Sequence, residues 1–293
     1  MPKRPTELPR LGALVADTHA HLDMLDDPAG AIERAAMAGV GFIVTVADAT
    51  ETPEGTFDNL DAWVAEAHER LTQWELPYVR VPDVRIILGA HPHNAKDFDK
   101  HTEERMLKLS SDPRVVGIGE IGLDFHYDHS PRIVQRRAFR VQLAAAQRCH
   151  LPAIIHLREA HEEGLEILND VGVPDAGCVI HCFTGDPELL AKFVDLGCYI
   201  SFAGPVTFKN ADAIRAAAAL VPLDRLLVET DCPFMAPEPY RGMPNEPAWS
   251  VLTAAKIAEV RQIPTADLAT ATLENARRIF RDDRPGSSLP DGC

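Results

Sequence analysis

Continuous apolar segments recur along the chain, separated by stretches in which apolar residues follow helical spacing. Most of these segments do not alternate apolar with polar residues, a pattern typical of parallel strands that are buried on both faces. The sequence therefore predicts eight buried strands. They are Ala13–Asp17, Gly41–Ala47, Val84–Ala90, Val115–Gly119, Ala153–Leu157, Gly177–Cys182, Cys198–Ala203 and Leu226–Thr230.

Helices are predicted between the strands, most clearly from Asp186 to Gly197. Asp186 is a natural N-cap, Pro187 suits the first helical position and Gly197 suits the residue after the helix. A second helix is predicted to begin in the same way at Ser130 and Pro131. The others are Pro28–Ala38, Phe57–Leu71, Glu103–Ser110, His161–Val171, Ala211–Leu220, Ala248–Val260 and Ala266–Phe280.

This alternation of strands and helices predicts an α/β fold, and eight strands favour closure into a (β/α)8 TIM barrel. The alternative is an open doubly wound sheet, although no GxGxxG motif follows the first strand. The 293 residues fit one barrel domain over 1–293. We expect its core to span about 13–281, and residues 282–293 to form a flexible tail.

Composition narrows the class of protein. No apolar run approaches the roughly 18 residues of a membrane helix, and the first ten residues lack the apolar stretch of a secretory signal. The six cysteines include no CxxC pair, so a disulfide framework is not expected. We therefore expect a soluble, cytoplasmic protein with no membrane association and no obligate protein partner, most simply a monomer.

The net charge of −15 argues against a broadly basic surface for nucleic acid. It is compatible with a nucleic-acid enzyme whose cationic groups are few and local, and such binding would be weak and sensitive to salt.

Metal-capable side chains accompany the ends of six predicted strands, where barrel enzymes carry their chemistry. Each residue alone is consistent with a structural polar group, but independent loops would not all select such residues, so together they indicate a metal site. They are His19 and His21 at the first strand, His91 and His93 at the third, Glu120 at the fourth, His156 at the fifth, His181 at the sixth and Asp231 at the eighth.

The spacing of the first pair supports this interpretation. In extended backbone, side chains two positions apart share a face and lie about 6.6 Å apart, so His19 and His21 can converge on one ion. Nitrogen and carboxylate ligands suit zinc, manganese, cobalt, nickel or magnesium without choosing among them. Several imidazoles make a site built for magnesium alone less natural.

Taken in order, the motifs "DTHAHLD", "GAHPH", "GEIGLDF", "LPAIIHLREA", "HCFTGD" and "ETDCPFMAPEPYRGMPNEP" give the chain a clear likeness to a known family. Between Asp17 and Phe280 the chain resembles the TatD family of metal-dependent hydrolases, which belongs to the amidohydrolase-like metallo-barrels. The resemblance implies a (β/α)8 barrel and a deoxyribonuclease-type phosphodiesterase that uses two divalent metal ions.

Position by position, the resemblance also implies a ligand set in which Glu120 bridges the two ions. One ion would be held by His19, His21, Glu120 and Asp231, and the other by Glu120, His156 and His181.

The resemblance further suggests how the reaction would proceed. Two ions about 3.5–4 Å apart can activate a shared water for attack on phosphorus. Asp231 is expected to orient this water and accept its proton, so Asp231 and Glu120 are the expected catalytic residues. Asp124 is a candidate support for a ligand histidine.

Substrate contacts are predicted on other residues. His93 and Arg158 are expected to bind the phosphate, because a guanidinium suits bidentate contact. The alternative for Arg158 is a surface salt bridge to Glu159 or Glu162. Lys209 and Arg241 are further candidate cations near the mouth. Met243 stands where the family motif would place a basic residue, which removes one possible phosphate contact.

Three functions remain open at this point. The first is a deoxyribonuclease acting on single-stranded DNA or a short oligonucleotide. The second is a metallohydrolase for a small ester, lactone, amide or phosphotriester, since an activated water can attack carbon or phosphorus. The third is a scaffold with a relict site, which the complete ligand set disfavours.

Overall fold

The computed structural model describes residues 7–76 and 78–280, which form a barrel of eight parallel strands paired in chain order. This confirms the predicted α/β barrel, and all eight strands lie where the apolar segments placed them. The strands are β1 (Val15–Ala20), β2 (Val40–Asp48), β3 (Asp83–Gly89), β4 (Val115–Asp124), β5 (Ala153–Arg158), β6 (Cys178–Ile180), β7 (Tyr199–Phe202) and β8 (Leu226–Val228).

The first and last strands meet at a short seam just beyond their regular pairing. Ala20 forms a parallel bridge with Cys232. The amide of His21 donates to the Cys232 carbonyl at 2.8 Å, and the amide of Asp231 donates to the His19 carbonyl at 2.9 Å. The seam therefore brings three candidate metal ligands from opposite ends of the chain into one place.

Asp17, to which the sequence assigned no chemistry, supports this seam. Its buried carboxylate accepts hydrogen bonds from the amide of Thr230 at 2.8 Å and from the Thr230 hydroxyl at 2.6 Å. Burial raises the pKa of Asp17 well above its usual value, against the lowering effect of these hydrogen bonds. The residue thus ties β1 to the segment that carries Asp231.

Nine helices accompany the strands within the described residues. Asp186 caps its helix as predicted, accepting from the amide of Leu189 at 2.9 Å. The helices are α1 (Pro28–Ala38), α2 (Glu54–Gln73), α3 (Lys100–Leu109), α4 (Arg132–Arg148), α5 (His161–Val171), α6 (Pro187–Asp195), α7 (Asp212–Leu220), α8 (Ser250–Arg261) and α9 (Thr265–Ile279). None is long and apolar enough to span a membrane.

The expected start of α4 is wrong, because Ser130 does not cap the helix. Its hydroxyl instead donates to the His93 carbonyl at 2.7 Å and accepts from the Lys96 amide at 3.0 Å. Tertiary contact with the loop after β3 outweighs the local capping preference. The predicted tail at 282–293 lies outside the described residues.

Two buried clusters form the core. The larger packs the outer faces of the strands against the helices. The smaller joins alternate strand residues such as Phe42, Val44 and Val46 to the end of α9, where the ring centroids of Phe42 and Phe280 lie 6.2 Å apart. The barrel interior is therefore a packed core, as is usual for this fold, and it leaves the other end for the polar groups.

Both β1 and β4 extend further than predicted, and each contains one extra residue. Ala20 is three residues after Asp17, whereas their partners in β2 are two residues apart. Likewise Ile121 is three residues after Ile118, whereas their partners in β5 are two residues apart. Such bulges redirect side chains and recur beside active sites. His19 and Glu120 lie within these irregular segments, inside the strands rather than after them.

Candidate metal centre

The carboxylate of Glu120 occupies the middle of the site at the carboxyl end of the barrel. The residue is buried, and its two oxygens face two different groups of imidazoles. A single side chain therefore connects ligand candidates from both halves of the chain.

The first group surrounds Oε2 of Glu120. Nε2 of His19 lies 3.1 Å and Nε2 of His21 lies 3.8 Å from this oxygen. Oδ1 of Asp231 lies 3.6 Å from His21 Nε2 and 3.9 Å from His19 Nε2. The four side chains that the family motif suggested for one ion thus converge.

The second group surrounds Oε1 of Glu120. Nδ1 of His156 lies 2.7 Å and Nε2 of His181 lies 2.8 Å from this oxygen. Nε2 of His91 also lies 3.3 Å away, which makes it a further candidate ligand. His91 is absent from the ligand set that the family resemblance implies, because its motif does not show which imidazole reaches the centre.

The spacing of these donor atoms fits divalent cations. Ligands bound at 2.0–2.1 Å in a tetrahedron lie roughly 3.4 Å apart, and the separations in the first group run from 3.1 to 3.9 Å. In the second group, Nδ1 of His156 and Nε2 of His181 approach to 3.1 Å while both face one carboxylate oxygen. Nitrogen lone pairs that point at one place repel each other unless a cation lies between them, so this arrangement suits a shared cation.

The charges at the centre also suit a cation. Burial alone would raise the pKa of Glu120, but the imidazoles of His181, His91 and His19 hold it well below its usual value. Burial likewise acts to raise the pKa of Asp231, while its hydrogen bond with His21 contributes to a net lowering. Both carboxylates are therefore anionic at neutral pH, as metal ligands must be.

Asp124 supports the second group from behind. Its Oδ2 lies 3.3 Å from Nε2 of His156 and 2.8 Å from Nε2 of His93. Burial would raise the pKa of Asp124, but these contacts hold it below its usual value. A carboxylate that holds the second nitrogen of a ligand imidazole fixes the ring's orientation. The structure thus places Asp124 where the sequence suggested, and also engages the predicted phosphate ligand His93.

Glu229 is a site residue that the sequence analysis missed. It is fully buried, its Oε1 accepts from the Cys182 amide at 2.6 Å, and the same oxygen lies 3.3 Å from Nδ1 of His181. A nitrogen of His19 also belongs to this cluster. The available signal was the spacing in "ETD", since Glu229 lies two positions before Asp231.

A cavity of about 410 Å³ opens above the centre. Asp231 lines it, as does Arg158, whose guanidinium lies 4.6 Å above the ring of Tyr127. The alternative salt bridge for Arg158 is wrong, because Glu159 pairs with His126 and Glu162 with Lys192.

The opposite side of the same cavity is acidic. Asp23 lines it from the loop after β1, Asp48 from the end of β2, and Glu51 from the loop that follows β2. The mouth is therefore electrically asymmetric, with carboxylates on one side and the Arg158 guanidinium on the other.

Comparison with known proteins extends these observations. The model of the family described as TatD related DNase matches residues 16–281. The metal-dependent hydrolase YabD of Bacillus subtilis is 38% identical over 271 residues, covering 92% of this chain and 99% of its own. YcfH of Escherichia coli K12 is 37% identical over 275 residues, covering 92% and 96%. The crystal structure of YJJV, a TatD homologue from Escherichia coli K12, superposes with a TM-score of 0.76 at 31% identity, covering 91% and 98%.

Proposed function

This chain belongs to the TatD related DNase family, its relatives YabD and YcfH are metal-dependent hydrolases, and from that premise we propose that it is a phosphodiesterase that cleaves single-stranded DNA or short oligonucleotides. It would use two divalent ions bridged by Glu120. It would act in the cytoplasm, and it would act as a monomer, since its barrel buries its core without a partner.

The observation that carries this proposal is that the two carboxylate oxygens of Glu120 face two different groups of ligand candidates. Oε2 lies among His19, His21 and Asp231, and Oε1 lies among the remaining imidazoles. One carboxylate shared by two donor groups is the arrangement that two adjacent ions require. When bound, such ions would lower the pKa of a water and polarise a phosphoryl oxygen.

The chain's own residues supply the rest of the chemistry. Asp231 lies at the edge of the cavity, where its carboxylate would orient the attacking water and accept its proton. Its backbone adopts φ +57°, a left-handed conformation that is uncommon for a residue other than glycine. Arg158 would hold a phosphate oxygen, because its guanidinium has no carboxylate partner within the described residues and faces the cavity.

A small ester, lactone, amide or phosphotriester is the second candidate substrate. The acidic side of the mouth, formed by Asp23, Asp48 and Glu51, favours it, because these carboxylates repel a polyanion that crosses them. The cavity volume also suits a small ligand.

The test is a substrate panel with the metal-loaded protein. End-labelled single-stranded oligonucleotides are compared with bis(4-nitrophenyl) phosphate, aryl esters and lactones, each with zinc, manganese, magnesium, cobalt or nickel. The nuclease proposal predicts cleavage of the oligonucleotides, lowered more than about 100-fold in Glu120→Gln, since a bridging ligand should matter more than an outer partner. Exposed Glu188→Gln is the matched control. Turnover of esters or lactones without cleavage of DNA would refute the nuclease proposal.

A further inference from the structure

We propose that a cavity beside the active site, between the loop after β7 and the loop after β8, binds a second phosphodiester of the same nucleic-acid strand. This inference rests on the proposed nuclease function and names the path that the substrate follows. The cavity is defined here as the flanking cavity. Its lining includes Thr184, Phe208, Lys209, Ala213 and Arg241.

The charge of the flanking cavity points to an anion. Its volume is about 430 Å³, and it is lined by two cationic side chains and no carboxylate. Among residues 7–76 and 78–280, neither Lys209 nor Arg241 has a carboxylate within salt-bridge distance. In a chain of net charge −15, two unneutralised cations in one concave site are suited to a phosphate group.

The cations are held by an ordered framework. The guanidinium of Arg241 lies 4.4 Å above the ring of Phe208, which places it over the β7 loop. Arg215 in turn donates to the carbonyls of Phe208 and Lys209, so that the backbone beneath both groups is fixed. The Glu238 amide donates to the Thr207 hydroxyl at 2.8 Å and joins the two loops. The guanidinium of Arg241 and the backbone that carries Lys209 are therefore held in place before a ligand arrives.

The flanking cavity is connected to the reaction centre. A third cavity, of about 620 Å³, lies between them and shares Thr184 and Ala213 with the flanking cavity. It also shares Arg158 and Asp231 with the cavity above the metal centre. A strand whose scissile phosphate lies beside Asp231 can therefore continue past Arg158 to Lys209 and Arg241.

The uneven distribution of charge around the mouth favours this path over one that leaves the centre on the other side. A strand that left the centre on the other side would pass Asp23, Asp48 and Glu51, whose charges repel phosphate. The path through the flanking cavity passes Glu159, which is paired with His126, and Asp186, which caps α6, and it ends at two cations that have no carboxylate partner among the described residues. The same protein can thus be acidic overall and still guide a short polyanion, since screening confines each charge to about 10 Å at 0.1 M salt.

The test uses a double variant, Lys209→Ala/Arg241→Ala, with Lys108→Ala/Arg137→Ala as the matched control. The control removes the same two residue types from exposed positions on α3 and α4. Binding of fluorescein-labelled oligothymidylates of two and eight nucleotides is followed by anisotropy in EDTA. The rate of bis(4-nitrophenyl) phosphate hydrolysis by the metal-loaded protein shows whether the reaction centre is intact in each variant.

The expected result follows from counterion release. The logarithm of the association constant falls with the logarithm of the salt concentration, and each lost phosphate contact makes this fall shallower by about 0.7 for a single strand. Loss of one or two contacts therefore weakens binding of the octanucleotide by about 5- to 25-fold at 0.1 M salt. Binding of the dinucleotide, the rate with the minimal phosphodiester and the melting temperature should not change, and the control should behave as the unaltered protein.

Other outcomes decide against the inference or against the function separately. If the octanucleotide binds both double variants equally, or binds no better than the dinucleotide, the flanking cavity is not a strand site. If inorganic phosphate binds in a Lys209- and Arg241-dependent manner but the octanucleotide does not compete, the cavity takes the free ion and the inference is overturned. Octanucleotide binding that depends on Lys209 and Arg241, without cleavage, would support the strand site and refute the nuclease function. Oligonucleotide cleavage that depends neither on strand length nor on these two cations would support the nuclease function and refute the strand site.

Discussion

Replacement of Glu229 by glutamine tests whether this buried carboxylate orients the metal ligands. Its Oε1 lies 3.3 Å from Nδ1 of His181, and the cluster includes an imidazole nitrogen of His19. The imidazoles of His19 and His181 stack with their ring centroids 4.0 Å apart, and they belong to different donor groups around Glu120. Glutamine preserves the volume and can still accept from the Cys182 amide, so the change removes the charge with little disturbance of packing.

The expected magnitude comes from the place of Glu229 behind the ligands. Loss of such an outer partner costs 10- to 100-fold in metal affinity, or about 1.4–2.8 kcal/mol. Because Glu229 adjoins a histidine from each group, both binding steps should weaken. The measurement is a competition titration of metal-free protein against a chromophoric chelator, using zinc and manganese, with circular dichroism to verify the fold.

Glu188→Gln provides the control, since it makes the same chemical change on an exposed residue of α6. Equal metal affinity in folded Glu229→Gln, Glu188→Gln and unaltered protein would refute the orienting role. Weakening of only one binding step would show that Glu229 acts through one histidine alone.

Three further predictions concern stability. Asp17→Ala should lower the free energy of unfolding by about 2–4 kcal/mol in urea titrations, because it leaves both Thr230 donors buried without a partner; Asp17→Asn should lose clearly less, and equal losses would contradict the hydrogen-bond explanation. Gly122→Ala should cost about 1–3 kcal/mol, since its φ is +139° and a Cβ would lie 2.0 Å from the His156 carbonyl; an unchanged urea midpoint would contradict this. A divalent ion at 100 times its dissociation constant should stabilise the metal-free protein by about 2.7 kcal/mol and raise its melting temperature by about 5–10 °C, and an unchanged melting temperature would argue against binding to the folded state.

Much of the fold follows directly from the sequence. The eight strands are long apolar segments with helical spacing between them, and only a sheet covered on both faces buries such strands. Cap residues such as Asp186 set their helix ends locally. Ser130 shows the limit of this local reasoning, because its hydroxyl bonds the loop after β3 instead of the helix that follows it.

The strand ends show a second limit. Prediction ended β1 at Asp17 and β4 at Gly119, where the apolar runs stop, but both strands continue through buried polar residues. Burial of His19 and Glu120 is tolerated because each finds charged partners on other strands. A pattern of apolar residues cannot reveal such partners.

The sequence by itself determined the barrel and the residues available for metal binding, because side-chain period and residue chemistry are local properties. Only the tertiary structure decided how they are used. Bulges in β1 and β4 place His19 and Glu120 within the centre, the β1–β8 seam sets His21 beside Asp231, and His91 and Glu229 join the site. These relations depend on strand register and on contacts between distant residues, which closure of the barrel fixes.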